Sequence, residues 1–258
     1  MIEFSVNGRI AEIVLNAPER MNALGTEDIA ALTEAFEEAG RLAEQGDLRV
    51  VLLRAEGRAF SAGRNLKGLE PGAGDTGEYL TDSVVPLMRT MAELPVPIVA
   101  AAQGAVLGAG LGVLAAADVA YVAEDATFGS PFGALGLILD CGGHWLFNDR
   151  MGYQRTMDLI LTGEFFSGAD AVAAGLFSRA VPAEDLERFA REKAEAVAAG
   201  PALAFQASKR VLGEIRAKSL GFWEALEFES DEQISLASSP DYAEGLAAFQ
   251  EKRRPVFE

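Results

Sequence analysis

Histidine and cysteine are almost absent from this chain of 258 residues, which has one of each, His144 and Cys141. A single cysteine cannot close an internal disulfide, and the pair falls short of the three or four ligands that a zinc site draws on. A structural metal is therefore not expected, and the expected compartment is the reducing cytoplasm. Cations are scarce as well, with 22 Lys and Arg against 39 Asp and Glu and a formal charge of -17. Nucleic-acid binding depends on clustered basic residues that release counterions from phosphates, so nucleic acid is excluded as a partner. Any anionic ligand has to meet a local basic patch. No window approaches the ~18 uninterrupted apolar residues of a membrane span, and Met1 to Leu15 alternates apolar and polar residues where a leader would be basic and then apolar. No membrane partner is expected.

Half of the residues are hydrophobic and 24% are charged, which allows one large core, or a core with a small appendage. Ile2 to Val6 and Ile10 to Leu15 alternate around Asn7-Gly8 and predict a hairpin, and Val50 to Leu53 predicts a buried strand. Between them a helix starts at Thr26, with Thr26-Glu27-Asp28 as its cap and favourable charge, and turns Leu32, Phe36 and Leu42 inward. A second cycle runs through strand Ile98 to Ala101, a glycine-rich helix from Gly108 to Ala117 and strand Val119 to Val122. A third has a strand at Ala126-Thr127-Phe128, helices from Gly142 to Arg150 and Gln154 to Leu161, and strand Phe177 to Val181. Repeated strand-strand-helix units predict an α/β spiral of stacked layers. After Pro182 only helices follow, at Leu186 to Ala199, Ala202 to Ala217, Gly221 to Ser235 and Pro240 to Lys252. The expected division is a spiral core over 1–199 and a helical C-terminal region over 200–258 that serves as a subunit interface.

Two segments crowd glycine and alanine where a strand gives way to a loop or helix: Arg58-Ala59-Phe60-Ser61-Ala62-Gly63-Arg64-Asn65-Leu66-Lys67 and Gln103-Gly104-Ala105-Val106-Leu107-Gly108-Ala109-Gly110-Leu111-Gly112. Small side chains let backbone N–H groups approach a ligand, and a helix N-terminus adds positive potential. Two such groups aimed at one oxygen make an oxyanion hole. Tight turns with small residues for packing are the other reading of either segment alone.

The pair resembles the enoyl-CoA hydratase/isomerase, or crotonase, superfamily. The first segment is similar to its Phe-x-Ala-Gly-x-Asp-Leu motif and the second to its Asn-Gly-x-x-x-Gly-Gly-Gly motif. Further matches are Asn16-Ala17-Pro18-Glu19-Arg20-Met21-Asn22-Ala23-Leu24 and Glu244-Gly245-Leu246-Ala247-Ala248-Phe249-Gln250-Glu251-Lys252-Arg253-Arg254-Pro255. The resemblance implies an acyl-CoA substrate, no cofactor beyond the coenzyme A of that substrate, and a homotrimer or dimer of trimers. It implies oxyanion donors at the N–H groups of Arg64 and Ala109. It also implies CoA or substrate contacts at Arg20, Ala62, Gly63, Asn65, Leu66, Lys67, Gly110 and Phe132, with Phe249 and Lys252 reaching CoA across a subunit boundary.

Several positions depart from the family pattern. Asn65 replaces an aspartate, a small loss if the role is a cap. Arg64 is large where a small residue is usual, and its side chain either reshapes the acyl pocket or reaches toward CoA phosphate. The two glutamates with which hydratases handle water fall on Gly112 and Phe132, neither of which transfers a proton. Asp140, in Leu135-Gly136-Leu137-Ile138-Leu139-Asp140-Cys141-Gly142-Gly143-His144-Trp145, instead resembles the acid/base aspartate of isomerase-type members, including the ring-epoxide phenylacetyl-CoA isomerases. Apolar surroundings would raise its pKa. A helix N-cap ahead of Gly142 is the other reading. The expectation is an acyl-CoA isomerase. Residual hydration, Asp140 as a nucleophile, and a CoA-ester-binding protein without catalysis are the alternatives. Ser61 lacks a nucleophile elbow, and the alternating glycines at 108, 110 and 112 do not form a dinucleotide fingerprint.

Overall fold

The computed structural model describes residues 1–66, residue 68 and residues 75–257. Lys67, a predicted CoA contact, lies outside the described residues. The first layer comprises β1 (Ile2–Asn7), β2 (Ile10–Leu15), α1 (Thr26–Glu44), β3 (Val50–Ala55) and β4 (Ala59–Ser61). The second comprises α2 (Asp75–Glu78), which runs through a π-helical stretch at Tyr79–Val84 into α3 (Val85–Glu93), then β5 (Ile98–Ala102), β6 (Ala105–Leu107) and α4 (Ala109–Ala116). The third has β7 (Val119–Ala123), β8 (Thr127–Gly129), α5 (Gly143–Met151), α6 (Tyr153–Thr162), β9 (Phe166–Ser167), α7 (Gly168–Ala173) and β10 (Arg179–Val181). It is followed by α8 (Leu186–Ala198), α9 (Ala202–Lys218), α10 (Phe222–Leu236) and α11 (Pro240–Glu251).

Strand partners explain the spiral. One sheet has the order β1-β2-β3-β5-β7-β10 and a smaller one the order β4-β6-β8-β9, so most units give one strand to each sheet. Apart from the β1-β2 hairpin, the large sheet is parallel, and parallel strands are stable when covered on both faces. α8 crosses β2, β3, β5 and β7, and β5 is buried along its whole length. The α1 residues Ile29, Leu32, Ala35, Phe36, Ala39 and Ala43 recur every three or four positions and enter the core; burying Phe36 fully is worth about 2–3 kcal/mol. The cap of α1 differs from the sequence expectation. Thr26 is the first helical residue and Gly25 the cap, whose N–H donates to the Asp28 carboxylate at 2.9 Å.

The helical region differs along its length. On α9, the Lys209 ammonium reaches Asp118 at 2.8 Å and the Val96 carbonyl at 3.1 Å, and Arg216 pairs with Asp149 at 3.0 Å. Arg49, buried at the start of β3, donates to the carbonyls of Ala198, Gly200 and Phe257. α10 buries none of its residues and exposes Phe222, Trp223 and Ile234. No helix among the described residues is long and apolar enough to cross a membrane.

The small sheet positions the site. β4, β6 and β8 run parallel, with a register shift in β4 between Ala59 and Ser61 that sets Ser61 beside Val106, and with Leu107 beside Gly129. Their C-terminal ends therefore deliver the chain to one edge at three neighbouring points, 61, 107 and 129.

Candidate active site

The first delivery point leads into Ala62-Gly63-Arg64. Leu24 braces it from the side: its N–H donates to the Gly63 carbonyl at 2.8 Å and its carbonyl accepts from Asn65 N–H at 3.1 Å. In extended backbone, alternate residues present their polar groups to opposite sides, so the Arg64 N–H turns away from Leu24. Behind this loop stands Asn22, 2% exposed and at a φ of 54°. Its Oδ1 accepts from Ala17 N–H at 2.7 Å, and its amide donates to the carbonyls of Glu56 and Ala59 at 2.9 and 2.8 Å. The Ser61 hydroxyl donates to the Asn22 carbonyl at 2.8 Å and accepts from Gly63 N–H at 3.1 Å. The matched motif around Asn22 is thus the frame of the loop, and Ser61, fully buried, is part of that frame.

The second point leads into α4. Gly108, at a φ of 49°, precedes Ala109, the first helical residue, whose N–H is one of those that an α-helix leaves without an intrahelical acceptor. The two segments touch. A Cβ on Gly63 would lie 2.7 Å from the Leu107 carbonyl oxygen and 3.4 Å from the Ala109 nitrogen. A Cβ on Gly110 would lie 2.5 Å from the Ser61 Cβ. Only hydrogen at 63 and 110 permits this approach, which sets the Arg64 and Ala109 backbones side by side at a helix N-terminus with its positive potential.

The third point leads through Gly129-Ser130-Pro131 to Phe132. Its ring lies 3.6 Å from where a Gly108 Cβ would stand and forms an aromatic wall beside the helix start. Leu135, Leu137 and Ile138 then run exposed along the rim. The turn that follows carries Asp140, half-buried, with Oδ1 buried and without a hydrogen-bond partner. Burial pushes its pKa up, against the Cys141 thiol hydrogen bond and the Arg64 charge, which pull it down. Asp140 does not cap α5: Gly142 is the N-cap without a side-chain bond, and the Asp140 backbone carbonyl accepts from Gly143 N–H at 2.9 Å. The Arg64 guanidinium stacks 4.2 Å above the Tyr79 ring and donates to Thr76 at 3.1 Å. Burial also pushes the Tyr79 hydroxyl and the Cys141 thiol up, with Asp140 adding to both.

The remaining predicted positions fall apart from this cluster or take other partners. The Arg20 guanidinium is held by Asp28 at 2.6 and 2.9 Å and by the Ala23 carbonyl at 3.0 Å, so it braces the Asn22 motif. Burial opposes the ionised form of Asp28, yet Arg20, Gly25 N–H and the N-terminal amine together lower its pKa to about 2. Asn65 and Leu66 are exposed at the loop edge, and Ala62 is half-buried there. Phe249, 82% exposed, and Lys252, the left-handed cap of α11, lie at the surface. His144 is exposed on α5. Among the described residues no group of three or more His, Cys, Asp or Glu could hold a metal ion. Reading the sequence missed Asn22 as the frame, Tyr79 as the platform for Arg64 and Cys141 as the neighbour of Gly112. The first had a visible signal, an asparagine inside a matched motif.

A two-sheet spiral whose parallel strand ends bring two backbone donors and a half-buried carboxylate to one edge defines the class. The chain belongs to the enoyl-CoA hydratase/isomerase family, whose model matches residues 5–258. It is 34% identical to a protein named probable enoyl-CoA hydratase from Rhodobacter capsulatus, over 99% of this chain and 97% of that one. It is 33% identical to the 1,2-epoxyphenylacetyl-CoA isomerase of Escherichia coli, over 100% and 99%. Among solved structures, an enoyl-CoA hydratase from Polaromonas sp. JS666 superposes with a TM-score of 0.91 at 28% identity, over 100% of this chain and 99% of the other. The protein is therefore an enzyme of acyl-CoA chemistry, and its relatives carry both hydratase and isomerase names.

Proposed function

We propose that this enzyme is an acyl-CoA isomerase. The thioester oxygen accepts hydrogen bonds from the Arg64 and Ala109 N–H groups, Asp140 takes a proton from a carbon made acidic by the thioester, and a proton returns from Asp140 to another carbon of the enolate, after exchange with solvent where the carboxyl is open to water. Each oxyanion donor of this kind contributes roughly 3–4 kcal/mol of transition-state stabilisation. The carboxyl need only be a base in one half-reaction and an acid in the other, a task that a raised pKa suits. The reaction so written draws on no metal or redox cofactor, only on the coenzyme A of the substrate. The Arg64 side chain, stacked on Tyr79, supplies a fixed positive charge that offsets the ionised form of Asp140.

The observation that carries this reading is Asp140 itself, a half-buried carboxylate with one oxygen unpartnered, in a chain whose hydratase glutamate positions are Gly112 and Phe132. The similarity to an epoxyphenylacetyl-CoA isomerase and the aromatic wall of Phe132 favour an aromatic or unsaturated acyl group. We further propose that CoA runs along Ala62, Asn65, Leu66 and Lys67, that the exposed helices after residue 199 pack against copies of the chain in a trimer or dimer of trimers, and that Phe249 and Lys252 reach CoA from a neighbouring copy.

The test is deuterium uptake from heavy water into saturated, 2-enoyl, 3-enoyl and phenylacetyl CoA esters, read by mass spectrometry. Exchange or double-bond migration that is lost in Asp140→Asn while ester affinity persists is the expected result. Binding without exchange in the wild type supports a CoA-ester-binding protein instead, and a trapped covalent ester on Asp140 supports a nucleophilic role.

A further inference from the structure

The helical run from Asp75 to Glu93 touches both halves of the site. Near its start the Tyr79 ring, 2% exposed, lies 4.2 Å under the Arg64 guanidinium, close enough for a cation to be drawn to an aromatic face. The Tyr79 hydroxyl donates at 3.4 Å to the Leu24 carbonyl, the same carbonyl that accepts from Asn65 N–H beside the Gly63-Arg64 loop. Further along, a Cβ added to Gly142 would lie 3.6 Å from the Met88 Cε, so α3 backs the turn that carries Asp140. One rod therefore braces the loop of a proposed oxyanion donor and the turn of the proposed acid/base.

The π-helical stretch is what aims Tyr79 at Arg64. Buried residues along the run are Tyr79, Val84, Leu87 and Met91, at steps of five, three and four. Steps of three and four share a face of an α-helix. At a step of five, with 3.6 residues per turn, two side chains would stand about 140° apart. Hydrogen bonds that span five residues widen the turn, as from the Val85 N–H to the Leu80 carbonyl, and return Tyr79 to the face of Val84. Pro86 supplies a local cause, because it lacks the N–H that an α-helix would send to the Asp82 carbonyl. Single π turns recur at functional sites, and here the altered register ends on a cation near a carboxylate.

The groups that face Asp140 are Arg64 from the loop, Tyr79 from the π-helical stretch and Cys141 from its own turn. Burial raises the Asp140 pKa, and the Cys141 thiol and then the Arg64 charge pull it down. Burial, Cys141 and Asp140 all push the Tyr79 hydroxyl up. α3, α4 and α5 meet the turn with Met88, Gly112 and Leu146, none of which titrates.

We propose that Tyr79 is a positioning residue for the acid/base: turned inward by the π-helical stretch, its ring holds the Arg64 guanidinium facing Asp140, while the same helical run seats the Asp140 turn through Met88. The proposal rests on the acyl-CoA isomerase reading above and adds what sets the pH at which the carboxyl can take a proton. An aromatic ring needed only for packing would leave the Asp140 titration untouched when another apolar side chain replaced it.

The experiment compares the full-length wild type, Tyr79→Phe, Tyr79→Leu, Arg64→Met and the double variant of the last two, all of which keep the backbone N–H of residue 64. Two readouts are used: the pH profile of kcat for deuterium exchange into the CoA-ester panel, and carbon-13 NMR titration of the Asp140 carboxyl, assigned against Asp140→Asn. Arg64→Met is expected to raise the Asp140 midpoint and the acid limb of the profile by about one pH unit, the low end of what a close opposite charge does to a carboxyl, with about a tenfold loss of rate below that limb. Tyr79→Leu is expected to produce most of the same change, and Tyr79→Phe, which keeps the ring, to titrate as the wild type does. The double variant is expected to match Arg64→Met, since two residues acting through one charge are not additive. A wild-type midpoint in Tyr79→Leu or Arg64→Met, a raised midpoint in Tyr79→Phe, or an additive double variant overturns the proposal, whatever the melting temperatures do. If Tyr79→Leu does not fold, Arg64→Lys decides, because it keeps a charge without the planar group that stacks: a raised midpoint supports the proposal and a wild-type midpoint overturns it. Should the wild type exchange no ester at all, the isomerase reading fails, while the NMR titration still decides whether Tyr79 acts on Asp140 through Arg64.

Discussion

The two segments that carry the proposed oxyanion donors lie side by side yet are held by different means. The Gly63-Arg64 loop is fixed by hydrogen bonds to the distant residues Asn22 and Leu24, with the neighbouring Ser61 as a bridge to Asn22. The Gly108-Ala109 helix start is fixed by close packing, with Gly110 on Ser61 and Gly112 on Cys141. One segment needs specific polar groups elsewhere, and the other needs side chains to be absent within itself. A loop lacks internal hydrogen bonds and has to find partners outside, whereas a helix beyond its first turn satisfies its own backbone and asks only for room. The two should therefore fail differently.

The largest effect is expected at the packed segment from a change that leaves packing alone. Ala109→Pro deletes one donor at the first helical position, where proline is tolerated, and should lower kcat about 100- to 1000-fold with a small change in melting temperature. Denaturant unfolding beside steady-state kinetics checks the separation. At the wired segment, Asn22→Ala strands the Ala17 N–H and two carbonyls and should cost about 3 kcal/mol of stability, with activity per folded molecule falling as well. Ser61→Ala removes one bridging hydroxyl and should cost about 1–2 kcal/mol; an effect as large as that of Asn22→Ala would mean that the wiring runs mainly through Ser61.

Smaller effects come from the periphery. Arg20→Met should cost about 1 kcal/mol, discounted because the pair is partly exposed. The Asp28 pKa of about 2 lies below its ordinary 3.8, so its contribution is complete above 3.8 and is lost as pH falls toward 2. The variant should flatten that acid limb. The Asp140 pKa is raised by burial, and the sign reverses: the folded state keeps a proton that the unfolded state has lost, and stability falls as pH rises through that window. Asp140→Asn should melt above the wild type at neutral pH, with the gain vanishing below the ordinary aspartate range.

Most of the fold was legible because periodicity reports burial. α1 repeats and the hairpin alternates, β3, β5 and β7 stand out as short continuous apolar runs, and the helices after Pro182 match within a residue or two. The short strands β4, β6 and β9 were not, since two or three residues give no period to read. Nor was the helical run from Asp75 to Glu93, where Pro86 and Gly77 interrupt the pattern. In the site, the glycine segments and Asp140 could be named from matched motifs. What α4 and the 139–142 turn do to each other could not, because a contact between residues 112 and 141 leaves no mark on either local pattern. The Thr26 cap expectation missed for a similar reason: Asp28 folds back on Gly25, and the cap with no side chain is satisfied from inside the helix.

The chain's one thiol makes the turn that carries Asp140 observable without any substrate. Cys141 is buried and its pKa is pushed up, so an alkylating reagent meets a reactive thiolate only when the turn opens. Because the cysteine adjoins Asp140, its labelling rate under native conditions clocks local excursions of the proposed acid/base. A CoA ester that protects the thiol at concentrations too low to change global unfolding would report occupancy of the proposed acyl site directly.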